Sequence, residues 1–161
     1  MHRLSCLVLA VAACGGSSPK PQPAKPAPAP AAAHTADDFI PMCKQIFARK
    51  QTCADDYLPL LLDVRVSLNT PPGIGDEVKS KGRDAVLAIA HTELSADTQP
   101  DKVAATCDGG MQQVKQAPPE RMNQLLDQGA TCLAAADCKA YSTCVVEIDR
   151  GFIAAGAAHP N

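Results

Sequence analysis

Aromatic side chains are scarce in this chain: 161 residues contain no Trp, two Tyr and three Phe. Nucleic-acid recognition asks for a basic face, and stacking of bases or sugars asks for aromatic platforms. Neither is supplied. The formal charge is −2, and setting aside Arg3, Lys20 and Lys25 leaves −5 for residues 34–161. No nucleic-acid partner is expected for so mildly acidic a domain. Histidine is sparse as well. His34 and His159 sit at the domain's extremities, where disorder is expected, and His91 has Glu93 two residues on. Positions i and i+2 lie on different sides of a helix, so these two form no metal pair. His91 reads as a partner for a helix C-terminal dipole.

Several motifs are also missing. There is no C-x-x-C, whose close spacing lets one thiolate resolve the other's mixed disulfide. No C-x-x-C-H, G-x-S-x-G or zinc-type paired cysteine occurs either. The glycine-rich "GIGDEV" at Gly73–Val78 lacks a P-loop ending and reads as a turn. Asp37-Asp38 and Asp55-Asp56 resemble the paired acids of glycosidases, but each precedes a helical run, where acids complement the dipole. No catalytic residue, metal or cofactor is expected from these patterns, and the chain reads as no enzyme.

No apolar run reaches the roughly 20 residues of a membrane-spanning helix. The longest N-terminal one, Leu4–Ala13, follows Met1-His2-Arg3 and ends in small residues. One basic residue, a short apolar core and a small-residue exit make a signal-peptide layout over 1–13. The exit Val11-Ala12-Ala13-Cys14 resembles the lipobox of bacterial lipoproteins. That resemblance implies cleavage before Cys14, a diacylglyceryl group on its thiol, and acylation (palmitate) of the new N-terminus. Gly15 at +2 implies sorting to the outer membrane, facing the periplasm or the cell surface, in the bacterial envelope. The other reading is an ordinary signal peptide and a freely secreted product.

Behind Cys14, residues 14–33 form a disordered linker rich in Pro and Ala, with six prolines between Ser17 and Ala33. Proline favours polyproline II, at about 3.1 Å per residue, so the segment could hold a domain up to about 50 Å from the membrane.

Residues 34–161 form the folded part, and their periodicity is helical. Phe39, Met42, Cys43, Ile46 and Phe47 fall at i, i+3, i+4, i+7 and i+8. Further stripes run along Asp76–Leu94, through Val78, Ala85, Val86, Ile89 and Ala90 with Gly82 filling one place, along Val103, Cys107, Met111 and Val114, and along Met122, Leu125, Leu126, Gly129 and Cys132. The last, behind a capping Asp137, comprises Cys138, Tyr141, Cys144, Val145, Ile148 and Phe152. Pro118-Pro119 suits a helix start, while Pro71-Pro72-Gly73 and Ser95-Ala96-Asp97 read as loops. "LDVRVSL" at Leu62–Leu68 alternates as a strand would, yet Tyr57, Leu61, Val64 and Leu68 also keep helical spacing. With no partner strand in sight, it reads as helix. The expected fold is all-α: a disulfide-stapled bundle of about five to six helices.

Cysteine is what the chain has in plenty. Cys6 leaves with the signal peptide and Cys14 takes lipid, so Cys43, Cys53, Cys107, Cys132, Cys138 and Cys144 remain. An even number in an exported domain implies disulfides. The expected pairing is Cys43–Cys53 and Cys132–Cys138 at helix ends, with Cys107–Cys144 between helices. It requires helix breaks between the near pairs. Six residues along a helix give about 600° of turn and 9 Å of rise, so Cys138 and Cys144 cannot bond within one helix.

The functional expectation is a membrane-anchored envelope lipoprotein, non-catalytic, binding an envelope protein or cell-wall component. The alternative is a carrier of a small apolar ligand or lipid in an inter-helix cavity. A carrier needs an apolar interior larger than its side chains fill; an adaptor needs a dense core and an apolar surface patch.

Overall fold

The structure is a computed structural model describing residues 34–158; the signal peptide, Cys14, the linker and His159 lie outside the described residues. After a short 3₁₀ turn, Ala36–Asp38, seven α-helices follow. They are α1 (Phe39–Thr52), α2 (Ala54–Leu68), α3 (Ile74–Lys81), α4 (Arg83–Asp97), α5 (Pro100–Gln116), α6 (Pro119–Leu133) and α7 (Cys138–Ala158).

Local chemistry explains the breaks. Asp38 Oδ2 accepts the Thr35 N–H at 2.7 Å and the Thr35 hydroxyl at 3.0 Å, closing the turn that leads into α1. Asp55 and Asp56 occupy the first turn of α2, where acids favour the helix dipole. That helix ends at Asn69 in the left-handed region, φ 48°, whose side-chain oxygen accepts the Gly73 N–H at 3.0 Å. Asp137 caps α7, its Oδ1 accepting the Ala140 N–H at 2.8 Å. Pro100 and Pro119 open α5 and α6, where a missing N–H costs nothing.

Three sequence expectations need correction here. The stripe over Asp76–Leu94 is two helices and not one, because Gly82 adopts φ 84° and ψ 149°, which breaks the hydrogen-bond ladder. The described residues therefore hold seven helices where about five to six were expected. Ser95-Ala96-Asp97 stays within α4, and the loop falls at Thr98–Gln99, where Gln99 is extended ahead of Pro100. In "GIGDEV" only Gly73 belongs to a turn; Ile74 onward is α3. The ambiguous Leu62–Leu68 is helical throughout, within α2.

α2 packs along α7, and this pair carries the main core. Tyr57, Leu58, Leu61 and Val64 meet Tyr141, Val145 and Val146, with Cys53 and Cys132 at its edge. α1 lies across α5 and α6, which bury Val103, Cys107, Met111, Val114 and Leu126. A smaller separate cluster, Leu62, Ile74 and Val86, holds α3 and α4 against α2.

Three disulfides are formed, and their pairing differs from the expected one: Cys43–Cys107, Cys53–Cys138 and Cys132–Cys144. Cys43 and Cys53 cannot meet because α1 is continuous from Phe39 to Thr52. Cys53 sits instead at the α1–α2 corner, beside the first residue of α7. The break between Cys132 and Cys138 does exist, but α7 folds back antiparallel to α6. That brings Cys144, two turns along α7, opposite Cys132. Cys138 and Cys144 share α7 and bond elsewhere, as helix geometry requires.

Candidate functional site

The six cysteines are all used in cross-links, and Cys132 and Cys107 are fully buried. The histidines stand apart. His34, expected in a disordered end, is held by Asp127 on α6 at 3.1 Å. His91 does not serve a helix terminus as expected: α4 continues six residues beyond it to Asp97, and the imidazole faces Asp55 on α2 at 3.5 Å. Among the described residues no three His, Cys, Asp or Glu side chains gather as metal ligands. No described helix is long and apolar enough to cross a membrane.

The structure brings together groups that had no visible relation in the sequence. Asp149 on α7 receives the Lys50 ammonium from α1 at 2.8 Å and the Tyr57 hydroxyl from α2 at 2.8 Å. Lys50 also lies over the Tyr57 ring, 5.0 Å from its centroid. Both charged side chains are largely covered, at 12% and 19% exposure. Burial, then the Asp149 carboxylate, pushes the Tyr57 phenol far above its ordinary value. Beside this cluster Arg49 donates to the carbonyls of Leu133 and Ala135 and stacks on Tyr141, 4.7 Å from its centroid. The Tyr141 hydroxyl donates to the Ile46 carbonyl at 2.8 Å, and burial raises its pKa as well.

The Lys50–Tyr57 pair forms one end of a cleft of about 260 Å³ between α1–α2 and α3–α4. Its floor is apolar: Leu58, Leu61, Leu62, Ile74 and Val86 are all buried. Ile89 stands at its mouth, 43% exposed. Arg65 lines the cleft half-buried and forms no ion pair among the described residues. Glu93 and Asp97 line the opposite wall from α4, with Glu77, which is already bound to Lys81 at 2.8 Å.

Two other depressions differ in character. A broader groove of about 540 Å³ between α6 and α7 is walled by Glu120, Asp127 and Glu147 and by polar amides, over the Cys132–Cys144 bridge. It is open and acidic. Further along α7, Met122, Leu125, Ile148 and the exposed Phe152 line a groove of about 270 Å³. Of these three depressions, the α1–α4 cleft combines a floor of buried apolar side chains with walls from four helices and charges of both signs, the makings of a recognition site.

Sequence reasoning placed Ile89 on an apolar stripe, and nothing in the stripe distinguishes a core position from a cleft mouth. Arg65 lies within the ambiguous "LDVRVSL", where no neighbour marks it as unpaired. Lys50, Tyr57 and Asp149 come from three separate segments, so no spacing could have joined them. No protein-family model, curated protein or solved structure matches the chain.

Proposed function

We propose that the protein is a lipid-anchored bacterial envelope lipoprotein whose helical domain binds a partner protein through the α1–α4 cleft, without catalysis of its own. The anchor rests on the lipobox-like Val11-Ala12-Ala13-Cys14 and the Pro/Ala-rich stretch behind it. The observation that supports the binding role is the cleft itself: an apolar floor, an exposed Ile89 at the mouth and a half-buried Arg65 that has no ion pair among the described residues. A buried pocket that accepts one or two side chains is what interface hot spots use. The occupant that fits is an apolar side chain flanked by an anionic group toward Arg65 on α2 and a cationic group toward Glu93 and Asp97 on α4.

The carrier reading is weighed by size. Small-molecule sites run to about 300–1,000 Å³ and enclose most of their ligand, whereas this cleft is about 260 Å³. It suits part of a partner's surface better than a whole lipid.

Two measurements test this reading. Intact mass of the detergent-extracted native protein should equal residues 14–161 plus acyl chains, and a lipid-free mass sinks the anchor. A photo-crosslinking residue at Ile89 should give a discrete adduct in the native host, and one at Lys139 on the exposed side of α7 should not. Absence of an adduct at Ile89, or the same adducts from both positions, removes the cleft as a binding site.

A further inference from the structure

The three disulfides are unevenly spread. Between Cys53 and Cys107 the chain contains no cysteine, and that interval holds α2, α3 and α4. Both flanking cysteines are bonded, to Cys138 and to Cys43. The interval therefore leaves the stapled body at one cross-link and returns at another. α2 is fastened by packing, with Tyr57, Leu58, Leu61, Leu62 and Val64 buried. By contrast α3 buries only Ile74 and α4 only Val86.

Around these two, Val78 of α3 and Leu87, Ala90 and Leu94 of α4 pack while only partly buried, and the polar ties are weak. Arg83 pairs with Asp63 at 2.6 Å and reaches the Pro59 carbonyl at 2.9 Å, and His91 faces Asp55 at 3.5 Å. Both pairs are exposed to solvent, where ion pairs contribute little. The joints favour movement. Gly73 at φ 87° and Gly82 at φ 84° flank α3, and no atom lies within 4 Å of where a side chain would start at either. At the far end the loop Thr98–Gln99 separates α4 from α5.

The geometry points to a movable wall: α3 and α4 form an arm that swings on Gly73 and Thr98–Gln99 and sets the width of the cleft, while the stapled helices stay closed. The inference rests on reading the cleft as a binding site. Ile74, Val86, Ile89, Glu93, Leu94 and Asp97 travel with the arm; Tyr57, Leu58, Leu61 and Arg65 belong to the fixed wall. Opening exposes Leu58, Leu61 and Leu62 of α2 to a partner, and closure covers what has entered. Once released from α2, helices of 8 and 15 residues lose the packing that keeps short helices formed in water, so their amides exchange through the open state. A wall free to move is drawn from the least stable part of a fold; α3 and α4 have one fully buried side chain each and no cross-link, whereas α1, which has none, is stapled through Cys43.

Hydrogen exchange on the full, oxidised chain without ligand tests the arm. Amides of α3 and α4 should share one opening equilibrium and exchange about tenfold or more faster than those of α2 and α7. Arg83→Ala, which removes the ties to Asp63 and Pro59, should speed exchange in α3–α4 several-fold and leave α6 and α7 unchanged. Exchange of α3–α4 at the rate of α2 and α7, or equal acceleration of all helices by Arg83→Ala, overturns the proposal. Since no ligand enters the measurement, it is independent of crosslinking at Ile89. A missing adduct there removes the binding role, and uniform exchange removes the arm.

Discussion

The Tyr57 hydroxyl donates to Asp149 Oδ2 at 2.8 Å, across 92 residues of sequence. With Lys50 on the same carboxylate, this contact joins α1, α2 and α7 at the rim of the cleft. A mostly covered carboxylate without partners would be costly, and here both an ammonium and a phenol satisfy it.

Removing Asp149 should therefore destabilise more than removing either partner's bond alone. Asp149→Ala leaves a covered ammonium and a covered hydroxyl unpaired, and should cost about 2–4 kcal/mol in urea unfolding. Tyr57→Phe deletes one hydrogen bond and should cost about 1–2 kcal/mol. A loss under about 0.5 kcal/mol for Asp149→Ala, the range of an ordinary surface change, would mean that the cluster is solvated.

Alkaline pH gives a second handle. Burial raises both phenols, Tyr57 and Tyr141, above their unfolded value of 10.0. Below that value both states keep the proton and stability is unaffected. Above it the unfolded chain ionises first, so the folded state binds more protons and stability falls as pH rises. The slope approaches about 1.4 kcal/mol per pH unit for each phenol. These are the chain's only tyrosines, so tyrosinate absorbance should stay silent above pH 10 until unfolding begins. Tyr57→Phe should roughly halve the slope. Tyrosinate absorbance that grows at the ordinary pH in the folded protein contradicts the burial of both phenols.

The disulfides should rank by the loop each closes. Cys53–Cys138 and Cys43–Cys107 span 85 and 64 residues, whereas Cys132–Cys144 spans 12. On chain entropy alone, losing either long bridge costs about 4–5 kcal/mol and losing the short one about 3 kcal/mol. Paired Cys→Ser variants compared by urea midpoint would check the order. Non-reducing peptide mapping should recover Cys43 with Cys107, and recovery of Cys43 with Cys53 would refute the observed pairing.

Arg49 is a test of shape over charge. Its planar fork serves two carbonyls, Leu133 and Ala135, while stacking on Tyr141. A lysine keeps the charge but can neither fork nor stack in this way. Arg49→Lys should cost about 1–3 kcal/mol, seen as a lowered Tm. An unchanged Tm would reduce Arg49 to a surface cation.

Much of the helical architecture was legible because its signals are local. Asp137 announces α7, Pro119 announces α6, and the spacing of Phe39, Met42, Ile46 and Phe47 marks the inner face of α1. The break at Gly82 was less legible, since glycine also occurs within helices, at Gly109, Gly110 and Gly129. What makes Gly82 a boundary is its positive φ, which residue type permits but does not announce. The loop expected at Ser95–Asp97 lies two to three residues further on, at Thr98–Gln99, for a related reason. Helix end signals are spread over a turn, and Pro100 acts back on Gln99.

The sequence by itself determined that the folded part is helical and carries an even set of cysteines suited to cross-linking. Those properties follow from residue type and from spacing within a turn or two. Tertiary structure alone decided which cysteines bond, that Asp149 gathers Lys50 and Tyr57, and that Ile89 and Arg65 face a cleft. Each of these depends on how one helix lies against another. An apolar stripe fixes which side of a helix turns inward, but it leaves open the neighbour it meets and how deeply the two are pressed together.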